Sequence, residues 1–362
     1  MKLMSKLGQW MLVLLCMSLG FSACEHRTLE DIDYSHYVRV YIDDKLPNVT
    51  TGFYNDQYVK PELKYPEIMR VMLCNPISGE MASERYLLQK GQDERGLYFD
   101  GFVAAPSGDY DLLLYNFDTE LTQIDNANNF QKIEAYTNPV SSSYYSKTAL
   151  LMDSIDTGHV LYEPNHLFTA DRRGIHISLK SKVDTLLTEK EDFFTAQSLV
   201  KTYFLQVRLR GAQWVKSAKA VISGMSSSVT LTDGKLSSES SSVFLNMRCA
   251  IQKAKLLNES SMEDEGQEAT IYTTFNMFGR VPGESPMSLR IEFIKTDGSS
   301  QIETIDLTPL FNTKEAIENQ WLLLDHEIKI EPAKTTEPEN ETPNGFYPTV
   351  EDWNDEIFDI II

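Results

Sequence analysis

Cysteine is nearly absent from this chain: four occur in 362 residues, at positions 16, 24, 74 and 249. No CxxC pair exists, which removes zinc-ribbon and dithiol redox chemistry from consideration. Cys74 and Cys249 lie in opposite halves, each inside an apolar strand-like run, VMLCN and FLNMRCA. Two buried free thiols suit that placement better than a bridge. Histidine is scarce too, with six residues scattered singly. His326-Glu327 starts a zinc-protease-like pair, but Ile330 stands where the second histidine is required, and two side chains four apart on a strand do not converge. Glycine-rich phosphate loops are missing, and GMSSS at 224–228 lacks the second glycine of a nucleophile elbow. The acidic SMEDEGQE stretch (Glu263, Asp264, Glu265, Glu268) lacks the alternating oxygen ligands of a calcium loop. No nucleophile, base or metal set assembles from these pieces, so neither an enzyme nor a cofactor is expected. Fifty-three carboxylates would permit a glycosidase dyad, but no feature selects one. Basic residues are the minority, 33 against 53 acidic, for a net charge of −20. Such a chain repels phosphate backbones and anionic headgroups, which excludes nucleic acid as a partner and a polybasic membrane contact.

Long apolar runs are also lacking, with one partial exception at the start. Lys2 and Lys6 precede an apolar core from Leu7 to Gly20, followed by Phe21-Ser22-Ala23-Cys24. The core is too short to span a bilayer, which takes about 20 apolar residues. It has the form of a bacterial export signal, residues 1–23. Small residues before Cys24 resemble a lipobox, in which the cysteine is acylated and becomes the new N-terminus; Phe21 stands where an aliphatic residue is usual. An ordinary signal cleaved near Ala23 is the alternative. Acyl chains, palmitate among them, contribute about 0.8 kcal/mol per buried methylene, so a multiply acylated Cys24 would hold a soluble domain on a membrane. Processing removes two lysines and no acid, leaving a net charge of −22.

Beyond a polar tether at 24–36 the pattern turns to period two. YVRVYID places Val38, Val40 and Ile42 on one face, and similar runs follow at 67–74, 85–90, 97–104 and 109–117. The polar interval Thr119–Leu151 reads as long surface loops. A second series runs from Tyr203–Leu209 to WLLLDHEIKI, with a hairpin about Asp297-Gly298 and a short helix over Pro309–Glu318 capped by Thr308. Trp214, Trp321 and Trp353 sit in strand-like apolar runs and are expected in cores. Short strands with scarcely any helical periodicity indicate an all-β protein with two tandem β-sandwich domains, 37–190 and 191–330. Residues 331–344 read as a linker. The terminal segment 345–362, GFYPTVEDWNDEIFDIII, ends almost wholly apolar and must complete a sheet. Val350, Trp353, Ile357 and Phe358 are its candidate contacts. It either folds back on the second domain or is donated to a neighbouring subunit; folding back is favoured, because a tethered monomer needs protection before a partner arrives.

Taken in order, APSGDYDLLLYNF, EPNHLFTADRRGIHI, GMSSSVTLTDGK and GFYPTVEDWNDE are similar to the fimbrillin-like lipoproteins of Bacteroides-type bacteria. They more closely resemble the minor fimbrial anchor (FimB-type) family and related surface lipoproteins. That resemblance implies two transthyretin-like β-sandwiches, lipid anchoring through Cys24 at the outer membrane, and a place at the base of a pilus among fimbrillin subunits. In such assemblies a strand from one subunit completes another. Asp153-Ser154-Ile155 and Asp184-Thr185-Leu186 look like O-glycosylation sites of these bacteria's exported proteins, with Ser154 and Thr185 as the modified residues. Acidic residues near the start (Glu25, Glu30, Asp31, Asp33) point to the cell surface. Two functions stay open: a fimbrial anchor or pilus-like adhesion subunit, and a surface lipoprotein that binds a glycan ligand.

Overall fold

The computed structural model describes residues 35–43, 58, 64–117, 119–140, 160–177, 193–251, 268–283 and 286–332. The signal, Cys24, Ser154, Thr185, and the terminal residues Val350, Trp353, Ile357 and Phe358 lie outside the described residues. So do residues 333–344 of the expected linker.

The first half forms strands β1 (Ser35–Ile42), β2 (Met69–Cys74), β3 (Met81–Leu87), β4 (Gln89–Asp93), β5 (Gly96–Ala104), β6 (Gly108–Asn116), β7 (Thr122–Asp125), β8 (Glu134–Thr137), β9 (Val160–Leu161), β10 (Phe168–Ile177) and β11 (Phe193–Ser198). Eight of them join in the order β3-β2-β6-β10-β11-β1-β5-β4. The sheet closes over its own inner face. Val38, Val40, Val71, Phe99, Leu112 and Leu114, from strands on both sides, are fully buried in one cluster. The chain turns one corner at Leu88, where β3 on one layer continues as β4 on the other. The opposite corner is the β10–β11 contact.

The second half contains β12 (Lys201–Arg210), β13 (Val215–Ser226), β14 (Ser228–Thr230), β15 (Ser240–Asn246), β16 (Arg248–Ile251), β17 (Glu268–Met277), β18 (Ser288–Lys295), β19 (Ser300–Asp306), helix α1 (Lys314–Asn319) and β20 (Trp321–Lys329). Sheets β16-β17-β12-β20 and β19-β18-β13-β15-β9 face each other across a second core that includes Leu205, Val207, Ile222, Ile271 and Phe293. The all-β reading with packed sheets therefore holds. The Asp297-Gly298 hairpin is present: Gly298 takes φ +80°, and β18 and β19 pair from Ile294↔Ser300 onward. Such a positive φ is available to glycine without steric strain.

Two expectations need revision. Residues 119–140 are not a loop over the sheet. They form β7 and β8, which pair with each other, β8 also pairing with β14 of the second half, and bury Phe130, Ile133 and Ala135. Their apolar residues are sparse because each faces a cluster built by other segments rather than by its own strand. β11 (Phe193–Ser198) pairs with β1 and β10 of the first sheet, and the next strand, β12, pairs with β17 and β20. The helix cap is Thr313, whose hydroxyl accepts the Ala316 N–H at 3.2 Å; Thr308 instead accepts the Met287 N–H at 2.9 Å. Cys74 and Cys249 are free thiols, buried and half-buried, and burial pushes both up to about 11. Trp214 and Trp321 are half-buried, each packed against an apolar cluster.

Candidate docking seam

Antiparallel β10 and β11 share only two residue pairs, Phe168↔Ser198 and Thr169↔Gln197. Beyond them the strands diverge. The far edge of β10 is held by β6 and that of β11 by β1. Among the described residues, no strand pairs with the facing edges over Ala170–Ile177 and Phe193–Ala196. A cleft of about 300 Å³ opens there, lined by Thr169, Ala170, Asp171, Arg172, Phe193, Phe194, Thr195 and Gln197. Exposed backbone edges of this kind accept an added extended segment.

Local sequence explains the divergence. In β10, Phe168, Ala170 and Arg172 share the inward parity, and Ala170 and Arg172 stand opposite the core residues Leu114 and Leu112. A bulge between Arg172 and Ile175 then reverses the parity, so that Ile175 and Ile177 enter the core. Gly174, at φ +68°, makes the bulge, and its N–H donates to the Asp111 carboxylate at 2.9 Å. Arg172 thus occupies a core position at the mouth of the gap. Its guanidinium lies 4.3 Å from the Phe194 ring centroid, a cation–π contact that covers the exposed end of the core. Burial pushes the Asp171 carboxyl up, Arg173 opposes this, and Asp111 and Asp233 reinforce it.

At its closed end the cleft meets the junction between sandwiches, where Thr169 Oγ1 donates to the Leu231 carbonyl at 3.2 Å. The adjoining segment Glu163-Pro164-Asn165-His166 is polar and half-buried, with Pro164 buried. Asn276 donates its backbone N–H to Glu163 at 2.9 Å and its side-chain amide to the Pro164 carbonyl at 3.0 Å. Burial raises the Glu163 carboxyl to about 7, with the Asn276 N–H opposing, and lowers His166. His166 Nε2 lies 3.2 Å from Thr202 Oγ1.

Of the motifs weighed in the sequence, GMSSS lies on β13 and β14, with Ser226 donating to the Ser228 and Ser237 carbonyls. His326 is exposed on β20. Among the described residues, no group of three or more His, Cys, Asp or Glu is placed to hold a metal. The seam itself was not singled out from sequence, although an arginine at a core-parity position in TADRRG is a readable signal.

A family model described as "Domain of unknown function (DUF5119)" matches residues 23–246, more than half of the chain. A Bacteroides ovatus protein named "Putative fimbrium anchoring subunit Fim4B" is 23% identical over 257 residues, 69% of this chain and 68% of that protein. Among solved structures, "a putative adhesin from Bacteroides ovatus" is 20% identical with a TM-score of 0.49, covering 83% of this chain and 93% of that one. "The fimbrial anchor protein Mfa2 from Porphyromonas gingivalis" is 10% identical with a TM-score of 0.40, covering 82% and 90%.

Proposed function

This chain belongs to the DUF5119 family, and from that premise we propose that it is a lipid-anchored structural protein of the cell surface, a fimbrial anchor or pilus-like adhesion subunit. The B. ovatus relative named for fimbrium anchoring supports the reading, as does the sequence resemblance to FimB-type anchors. The observation that carries it is the seam. Two antiparallel strands whose facing edges have no strand partner among the described residues offer backbone donors and acceptors to an extended segment of a neighbouring fimbrial subunit. Arg172 discourages indiscriminate pairing, because its inward guanidinium and the Phe194 contact it makes must be displaced before a strand can enter. The role is mechanical rather than catalytic.

Attachment to the outer membrane follows from acylation at Cys24. Mass spectrometry of the mature N-terminus should find a lipid-modified Cys24; an unmodified residue other than Cys24 there would sink this part. For the subunit role, the purified full-length chain is mixed with the fimbrillin-type subunit encoded nearest to it. A stable complex with slowed amide exchange over 193–197 is expected. Absence of a complex, with binding to a polysaccharide instead, would transfer the reading to a glycan-binding lipoprotein. The terminal segment belongs to the same question. Deleting 345–362 should lower the monomer's melting temperature if that segment folds back, and should abolish subunit binding alone if it is donated.

A further inference from the structure

β1 is the first described element after the N-terminal tether, and it is held unusually completely. It lies inside the sheet, antiparallel to β5 over seven residue pairs from Ser35↔Ala104 to Tyr41↔Tyr98. On its other side it runs parallel to β11 from Arg39↔Phe193 to Ile42↔Ala196, and the Asp43 N–H to Ala196 carbonyl bond (2.9 Å) extends that ladder. Inward, Val38, Val40 and Ile42 are 0–3% exposed.

Outward, every residue from 37 to 41 on the other parity is keyed to a specific partner. The Tyr37 hydroxyl donates to Asp100 at 2.7 Å, and the Tyr41 hydroxyl to Asp93 at 2.8 Å. Arg39 stands between them. Its Nη2 donates to Asp100 at 2.9 Å, its Nε to the Tyr37 hydroxyl at 3.1 Å, and its Nη1 lies 3.7 Å from Asp93. The same guanidinium sits 4.0 Å from the Tyr98 ring centroid and 5.4 Å from that of Phe193. One side chain therefore binds residues of β4, β5 and β11 at once.

The antiparallel ladder bonds run perpendicular to β1, so a pull along the strand axis shears them together, whereas peeling the strand sideways would break them one at a time. Sliding by two residues would preserve the backbone ladder and the alternation of faces. It would also break every one of the outward pairings. We propose that the Arg39 network is a register lock on β1, the strand through which tension on the tethered N-terminus enters the fold. This rests on the proposed N-terminal anchoring. Forced unfolding is governed by the unfolding rate rather than by equilibrium stability. The lock's contribution therefore appears under load along β1.

The test is single-molecule unfolding of the mature full-length chain at constant force, along two axes. One axis joins handles at the N-terminus and Thr296; the other joins Ser78, in the β2–β3 turn, and Thr296, so that no handle is attached at the N-terminal side of β1. Arg39→Met keeps much of the stem's packing and removes the charge and donors. It should speed unfolding about tenfold on the N-terminal axis, the scale expected for a partly desolvated cation–π and ion-pair set, and less than about twofold on the other. Equal acceleration on both axes, or none on the first, overturns the lock. If Arg39→Met does not fold, the nearly isosteric Asp100→Asn carries the same prediction with the same overturning results. Anchoring is read separately, from the lipid on Cys24 and the fimbrillin complex, so either conclusion can fail without the other.

Discussion

Glu163 is the residue whose chemistry is least suited to its place. Its carboxyl is raised to about 7 by burial, with one backbone donor, Asn276 N–H, at 2.9 Å. An acid whose folded pKa lies above its unfolded value favours the folded state while protonated. That contribution is complete below about 4.5 and is lost as pH rises through about 7. At 1.36 kcal/mol per pKa unit the full penalty approaches about 3 kcal/mol; some of the side chain still reaches the surface, so roughly 1–3 kcal/mol is expected. Glu163→Gln keeps an acceptor for Asn276 and cannot ionise. It should raise the melting temperature at pH 8 and leave it nearly unchanged at pH 4.5. An equal shift at both pH values would show that charge is not the cause. None of this is legible in EPNHLF, because burial at 163 comes from β17, more than a hundred residues downstream. By contrast, the apolar run VMLCN marks Cys74 as a buried free thiol, although the residues that cover it, Phe130, Ile133 and Val229 among them, come from other segments.

Elements were legible where one segment buries its own face. β1 and β5 alternate along their lengths, and in β12 and β18 every second residue is a core residue, with Phe204 and Glu292 buried on the other face as well. Sequence reading failed where a segment contributes single side chains to a shared cluster, as β7 and β8 do. It also misplaced the helix start. Pro309 after Thr308 looks like a capped first turn, yet Leu310–Asn312 is a 3-10 turn and the helix restarts at Lys314. Restarting lets Phe311 and Ala316 both reach the second core. The α1 cap is therefore Thr313, with Gln320 closing the helix at φ +57°. Thr313→Ala should cost about 1 kcal/mol, the usual value of a lost N-cap hydroxyl. It should speed amide exchange at Ala316 without changing exchange in β1. Chemical denaturation reads the first effect, and hydrogen exchange the second. A shift confined to Thr308→Ala would restore the cap inferred from sequence.

At the scale of the molecule, the two sandwiches are interlocked rather than strung in series. β9 of the first half pairs in parallel with β15, and β14 of the second half pairs with β8. Between the cores lies a third cluster, where Met72, Leu113 and Tyr115 of the first sandwich meet Val229, Leu231 and Phe278 of the second. Tyr58 adds a further contact, with its hydroxyl donating to Gln206 at 3.0 Å and its ring edge-on to Tyr272. Interfaces between independent domains are usually more polar and permit relative motion. Here strands are exchanged across the junction, so neither half can unfold without exposing apolar surface on the other. In the proposed anchoring role, load would cross this junction without a compliant linker between the described halves. The expectation is one cooperative transition. Leu113→Ala, fully buried in the shared cluster, should cost about 2–5 kcal/mol. Amides of β6 and β13 should then lose protection together at the same denaturant concentration. Loss of protection in β6 alone, with β13 unmoved, would mean that the sandwiches unfold separately and that the junction does not couple them.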